Sequence, residues 1–212
     1  KMTMNMNTLL TFWGVSALFI LTPGADWAYA ITAGIRGRVV IPAVFGLLLG
    51  HALSTLLVAT GIGAIVNGSP LLLQVLTAAG ALYLLWLGIG LLKNPAELRH
   101  SSALLTTTSQ TRHWLVKGLC ISGLNPKVFL LFFALLPQFI DLSSGFTVST
   151  QILVLGMIHL ATCSVIYYAV GFGSHALLKT RPHAAQRISQ VSGALMIIIA
   201  SLLLIDQSHH LV

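Results

Sequence analysis

A carboxylate and an ammonium, each placed just after a proline inside an apolar run, are the residues of this chain best placed to do chemistry. Asp26 ends the stretch Thr22-Pro23-Gly24-Ala25-Asp26 in the run Leu9 to Ile35, and Lys127 ends Asn125-Pro126-Lys127 in the run Gly118 to Ile140. Both stretches lie near the middle of their runs. Proline removes a backbone donor and glycine weakens a helix. An aspartate at the centre of a bilayer costs about 2.5–3.5 kcal/mol on insertion scales. Thr-Pro and Asn-Pro are good helix starts, because Thr and Asn cap and proline suits the first helical position. The pattern therefore predicts two helices that each stop and restart inside a membrane, with Thr22 and Asn125 as caps and one ionisable side chain beside each break.

The elements that must position these groups are apolar throughout. Of the 212 residues, 56% are hydrophobic and 7% charged, and mean hydropathy is +0.92. Soluble domains carry roughly 25% charged residues, so the chain reads as an all-α, multi-pass integral membrane protein. A bilayer span needs about 20 apolar residues. Six stretches qualify or nearly do: Leu9–Ile35, Val39–Val66, Leu71–Leu92, Gly118–Ile140, Thr147–Gly173 and Ile188–Ile205. Leu9–Leu21 reads as the first span and not as a cleaved signal core. Lys1 precedes Met2 and is not expected to be a native start.

Charge placement orients the spans. The formal net charge is +7, but it is not a nucleic-acid footprint. Arg36, Arg38, Lys93, Arg99, Arg112, Lys117, Lys179, Arg181 and Arg187, nine of the eleven basic residues, fall in alternate connections. The connections around Asn67–Pro70 and Asp141–Phe146 carry none. The positive-inside rule makes the basic side cytoplasmic and puts both termini outside. Residues 93–117 are expected to be a cytoplasmic linker within a single transporter domain spanning 1–212.

The halves on either side of that linker, about 8–92 and 118–205, carry the same landmarks in the same order. Each has a broken helix, then a histidine-bearing helix (Gly50-His51 and Ile158-His159), then Gly-Ala-Leu at 80–82 and 193–195. Three spans per unit make the second copy run inverted. Inverted repeats with discontinuous helices at matching positions point to a secondary transporter with a mid-membrane site.

On these residues the chain resembles the lysine-exporter (LysE/RhtB) family of bacterial amino-acid exporters. The resemblance covers about residues 8–205. It rests on Thr22-Pro23-Gly24-Ala25-Asp26, on Gly46-x-x-x-Gly50, on the run from Gly80-Ala81-Leu82 to Gly88, and on Leu124-Asn125-Pro126-Lys127 followed by Leu136-Pro137-Gln138-Phe139-Ile140. The family has Pro-Gly-Pro in its first span; here the second proline is Ala25. The resemblance implies export of amino acids or close derivatives across the inner membrane, driven by the proton-motive force, with no enzyme activity.

Each residue also has a plainer use. Asp26 could simply favour the positive end of a resumed helix. Lys127 opposes that dipole and so needs an anion, either Asp26 or a substrate carboxylate. The expected substrate-binding set is Thr22, Pro23, Gly24, Asp26, Asn125, Pro126 and Lys127, around a small zwitterion. Asp26 is expected to carry the coupled proton. His51 and His159 are the alternative carriers or else satisfied interior histidines. Gly46, Gly50 and Ser54 form a small-residue face for helix packing, with a homodimer left open. No cofactor, resident metal or nucleic acid is expected, and membrane lipid is the surrounding partner. There is no phosphate-cradling loop and no zinc-protease histidine pair. Two other readings compete with amino-acid export. A membrane thiol/disulfide electron carrier needs paired cysteines in both broken helices, and the first has none. A metal-ion exporter would use His51, His159 and Cys163.

Overall fold

The computed structural model describes residues 4–66, 70–94, 111–180 and 184–209. Its helices, in chain order, are α1 (Met6–Leu21), α2 (Ala25–Arg36), α3 (Val40–Val66), α4 (Pro70–Lys93), α5 (Thr111–Gly123), α6 (Pro126–Leu135), α7 (Val148–Thr180) and α8 (Ala184–His209), with a short 3-10 turn at Leu136–Phe139. No strand occurs among the described residues. By length and apolarity α3 and α7 can each cross a membrane. Helices α1 and α2, bent by 60° across their break, can make a third crossing if the pair forms one span.

Helix ends follow local chemistry. The Asn5 side chain accepts the Asn7 N–H and caps α1. Helix α2 closes on Gly37, whose φ of 77° suits a residue without a Cβ, and Arg36 sits in its last turn, where the dipole favours a cation. Pro137 cannot continue the helical ladder, so α6 stops at Leu135 and tightens into the 3-10 turn. Helix α5 begins at Thr111, earlier than the apolar run, so it takes in the end of the expected linker. Hydropathy marks only the part of a helix that needs lipid, whereas the helix itself extends into the polar boundary. The remainder of that linker, 95–110, and the connection at 67–69 lie outside the described residues.

One expectation needs correcting. Thr22 is not the cap of the resumed first helix. It terminates α1, with its hydroxyl bonded back to the Leu18 carbonyl at 3.0 Å. The cap position of α2 belongs to Gly24, in an extended conformation, and Pro23 lies in the gap and not at the first helical position. At the second break Pro126 does open α6, directly after Asn125.

Packing forms two apolar cores. One gathers Phe12, Phe19, Val58, Leu131, Phe132 and Ile152; the other gathers Ile20, Trp27, Tyr29, Val44, Leu47 and Trp114. They mark two ends of the molecule. At the second, the Arg36 guanidinium lies 5.8 Å from the centre of the Trp114 ring, which brings the end of α2 beside the start of α5. At the opposite end, Ser149 at the start of α7 donates to the Ala59 carbonyl of α3 at 3.0 Å. Arg36 and Arg112 thus share an end that Asp141 does not. Asp141 closes its own turn: the Ser143 hydroxyl and backbone N–H hold its carboxyl below the usual range.

Small residues set the crossings. A Cβ on Gly46 would strike the Leu115 carbonyl, and one on Gly50 would come within 2.5 Å of the Gly123 nitrogen. On the other side of the bundle, Gly34 of α2 meets the Gly171 carbonyl of α7 in the same way. Outward faces are apolar, with Ile41, Phe45, Leu56, Met157 and Val165 exposed. Such continuous apolar surface suits lipid and not water.

Candidate functional site

Asp26 stands in the first turn of α2, 6% exposed. Its Oδ2 accepts the Tyr167 hydroxyl of α7 at 3.1 Å and lies 3.1 Å from His51 Nε2 of α3. The other carboxylate oxygen is buried with no partner among the described residues. His51 Nδ1 lies 3.3 Å from His159 Nε2, and His159 Nδ1 lies 2.7 Å from the Ser16 hydroxyl of α1. The Cys163 sulfur also lies 3.3 Å from His159 Nε2. All of these side chains except Asp26 are at most 4% exposed.

One assignment of protons satisfies the whole chain. Ser16 donates to His159 Nδ1, His159 Nε2–H donates to His51 Nδ1, and His51 Nε2–H donates to the Asp26 carboxylate. Every hydrogen then points towards Asp26. A proton on Asp26 Oδ1 leaves Oδ2 free to keep both contacts, whereas one on Oδ2 turns that oxygen into a donor and reverses the line of hydrogens through both imidazoles. The array is a continuous hydrogen-bonded line from Ser16 of α1 through His159 of α7 and His51 of α3 to Asp26 of α2. It lies between the two apolar cores: Phe132 of one core faces the His159 ring at 4.9 Å, and Tyr167 of the other faces the His51 ring at 5.9 Å. With low-dielectric walls on both sides, a lost hydrogen bond here is expensive.

The two breaks meet beside Asp26. Phe19, Thr22, Gly24, Ala25, Asp26, Trp27, Asn125, Val128 and Tyr167 line one small cavity. Its free volume is about 20 Å³, room for about one water molecule and far too little for an amino acid. The first N–H groups of α2 have no partners within their helix and border this space, where they favour an anion.

Of the residues singled out from sequence, Thr22, Gly24, Asp26 and Asn125 line this cavity, and the buried Pro23 lies between two of them in the chain. Pro126 and Lys127 are in the first turn of α6; their side chains lie outside the described residues, and so does any pairing of Lys127 with Asp26. His51 and His159, expected as separate interior histidines or alternative carriers, are bonded to one another. Gly46 and Gly50 lie away from the cavity, in the crossing of α3 and α5. Ser16 and Tyr167 were not singled out. Tyr167 could have been found: His159, Cys163 and Tyr167 recur every four residues, a polar stripe on one face of an apolar helix. Ser16 has no comparable signal. The two cysteines are both free, Cys120 exposed on α5 and Cys163 buried on α7.

Known proteins bear on this site as follows. The family model described as LysE type translocator matches residues 17–207. A Vibrio cholerae protein named as an uncharacterized membrane protein is 35% identical over 82% of this chain and 82% of its own length. A leucine efflux protein of Enterobacter sp. is 29% identical over 89% of this chain and 92% of its own. A homoserine/homoserine lactone efflux protein of Salmonella typhimurium is 28% identical over 89% and 91%. No solved structure matches. Matched along nearly its whole length by that family model, the chain belongs to the LysE type translocator family and is a transporter, not an enzyme.

Proposed function

We propose that this protein exports an amino acid or a close derivative from the bacterial cytoplasm across the inner membrane, by alternating access in exchange for protons, and that Asp26 is where substrate and proton compete. The observation that carries the reading is the position of Asp26: one oxygen in a buried array with His51, His159 and Tyr167, the other without a partner among the described residues, beside the cavity where both breaks meet. The names of two relatives matched over 89% of this chain, for efflux of leucine and of homoserine or homoserine lactone, support a small amino-acid-like substrate. Its carboxylate suits the free N–H groups at the start of α2 together with Lys127, and its ammonium suits Asp26. Substrate leaving on the outside exposes Asp26, which takes up a proton. The proton is lost inside, where a new ammonium replaces it. His51 and His159 supply the path along which that proton reaches or leaves the carboxylate.

In this reading six spans form two inverted three-helix repeats, with the basic end cytoplasmic and both termini outside. The deciding experiment is transport by proteoliposomes under an imposed pH gradient, screened first by counterflow across the amino acids and homoserine derivatives. Asp26→Asn is expected to lose gradient-driven accumulation. Retention of normal accumulation by that variant would overturn the role of Asp26.

A further inference from the structure

The Asp26 array contains a group that proton exchange does not use: the buried thiol of Cys163, one helical turn after His159 on α7. One ligand atom each from His51, His159 and Cys163 all lie within 4.8 Å of one another. The geometry points to a binding site for a thiophilic divalent cation of the zinc and cadmium kind, held by His51 Nδ1, His159 Nε2 and Cys163 Sγ. With metal–nitrogen bonds of about 2.0–2.1 Å and metal–sulfur bonds of about 2.3 Å, neighbouring ligand atoms of a tetrahedral site stand about 3.3–3.6 Å apart. The two contacts made by His159 Nε2 are both 3.3 Å. A cation there takes the place of the hydrogens these atoms now share.

The outer nitrogens supply an independent argument. Histidines that bind metal almost always give their second N–H to a carboxylate, a carbonyl or another oxygen, which fixes the tautomer and the ring. His51 Nε2 already faces Asp26 Oδ2 and His159 Nδ1 already faces the Ser16 hydroxyl. His159 Nε2 is thereby held 3.3 Å from the thiol, and His51 Nδ1 is held 3.3 Å from His159 Nε2 and within 4.8 Å of the sulfur, which a bound cation would draw in. Charge also balances. Cys163 releases its proton to solvent as the metal–sulfur bond forms. The thiolate and the Asp26 carboxylate together offset the two positive charges in a buried place that would not tolerate a surplus. The protein offers three ligands and leaves the fourth position open. Bound metal ties α3 to α7 and takes both inner nitrogens out of proton exchange, so it arrests transport.

The test is titration of the purified full-length protein with cadmium, read by the ultraviolet cadmium–thiolate charge-transfer band. One saturable equivalent per chain is expected, with the band kept in Cys120→Ser and lost in Cys163→Ser. Ser16→Ala, which removes only the outer partner of His159, should weaken binding roughly 10-fold or more. Cadmium NMR of the unaltered protein should report a single sulfur ligand, a reading independent of whether Cys163→Ser folds. No saturable band, a band unchanged in Cys163→Ser, or two sulfurs would each overturn the site. Because binding is read without transport, it stands or falls separately from the proposed function. Arrest of flux by cadmium in the unaltered protein, but not in Cys163→Ser, tests the consequence.

Discussion

At the first break the chain leaves α1 at Thr22 and passes through Pro23 and an extended Gly24 before α2 begins at Ala25. At the second, α5 runs almost directly into α6. Leu124 and Asn125 still donate backwards to the carbonyls of Cys120 and Ser122, and Val128 donates to that of Asn125. The first break is a true gap, bent by 60°; the second is a pause with its backbone still bonded. Their surroundings differ to match. The gap faces the cavity and the Asp26 array, and an indole closes it, Trp27 Nε1 donating to the Ile20 carbonyl at 2.8 Å. The pause is gripped from outside, where Gly50 of α3 presses on Gly123 and Ser122. A helix can thus be interrupted at a cost borne by a side chain or by a neighbour. Both breaks reach the cavity beside Asp26, the first through the N–H groups that open α2.

The sharpest way to break this comparison is to neutralise the charge beside each gap. Lys127→Met should abolish binding of a carboxylate-bearing substrate while the protein stays folded. Asp26→Asn should bind substrate poorly and also lose the response to a pH gradient. If Asp26→Asn keeps that response, the proton is carried elsewhere. If Lys127→Met binds within a few-fold of the parent, Lys127 is structural.

Smaller effects sharpen it. Gly50→Ala drives a methyl into the backbone of the second break, which overpacking data place at about 1–3 kcal/mol; thermal unfolding in detergent should drop accordingly. Trp27→Phe orphans the Ile20 carbonyl beside the first break, worth about 1–3 kcal/mol. Because it loosens only the gap, it should lower the midpoint of unfolding while leaving the α3–α5 crossing intact, as read by cross-linking between cysteines placed on those two helices. Gly24→Ser should matter least. Its φ of −163° is open to any residue, and a serine there would gain a cap bond of a few tenths of a kcal/mol over glycine. A large loss in Gly24→Ser would mean that the backbone at Gly24 must approach something closely.

Both interruptions were legible in the sequence, because proline beside a capping residue in an apolar run has few other uses. The role of Thr22 was not. Thr-Pro starts helices well in general, but here the threonine hydroxyl finds the Leu18 carbonyl one turn back, and Gly24 takes the cap position. Asp26, His51 and His159 were each visible as polar residues in the wrong place. Their union was not, since His51 and His159 are 108 positions apart and only packing of α3 against α7 joins them. The plainer reading, a satisfied interior histidine, is also true: each imidazole is satisfied by the other members of the array.

Trp27 carries one more consequence. Its indole borders the polar cavity on one side and, on the other, an apolar cleft of about 270 Å³ that it shares with Leu21, Val165, Ile166 and Val170. Its indole hydrogen bond spans the gap that opens for a solute in the transport cycle proposed above. The molecule therefore contains its own optical gauge. With Trp13, Trp86 and Trp114 replaced by phenylalanine, the colour of the remaining fluorescence would follow the bend between α1 and α2 in real time, and no dye would need to be attached.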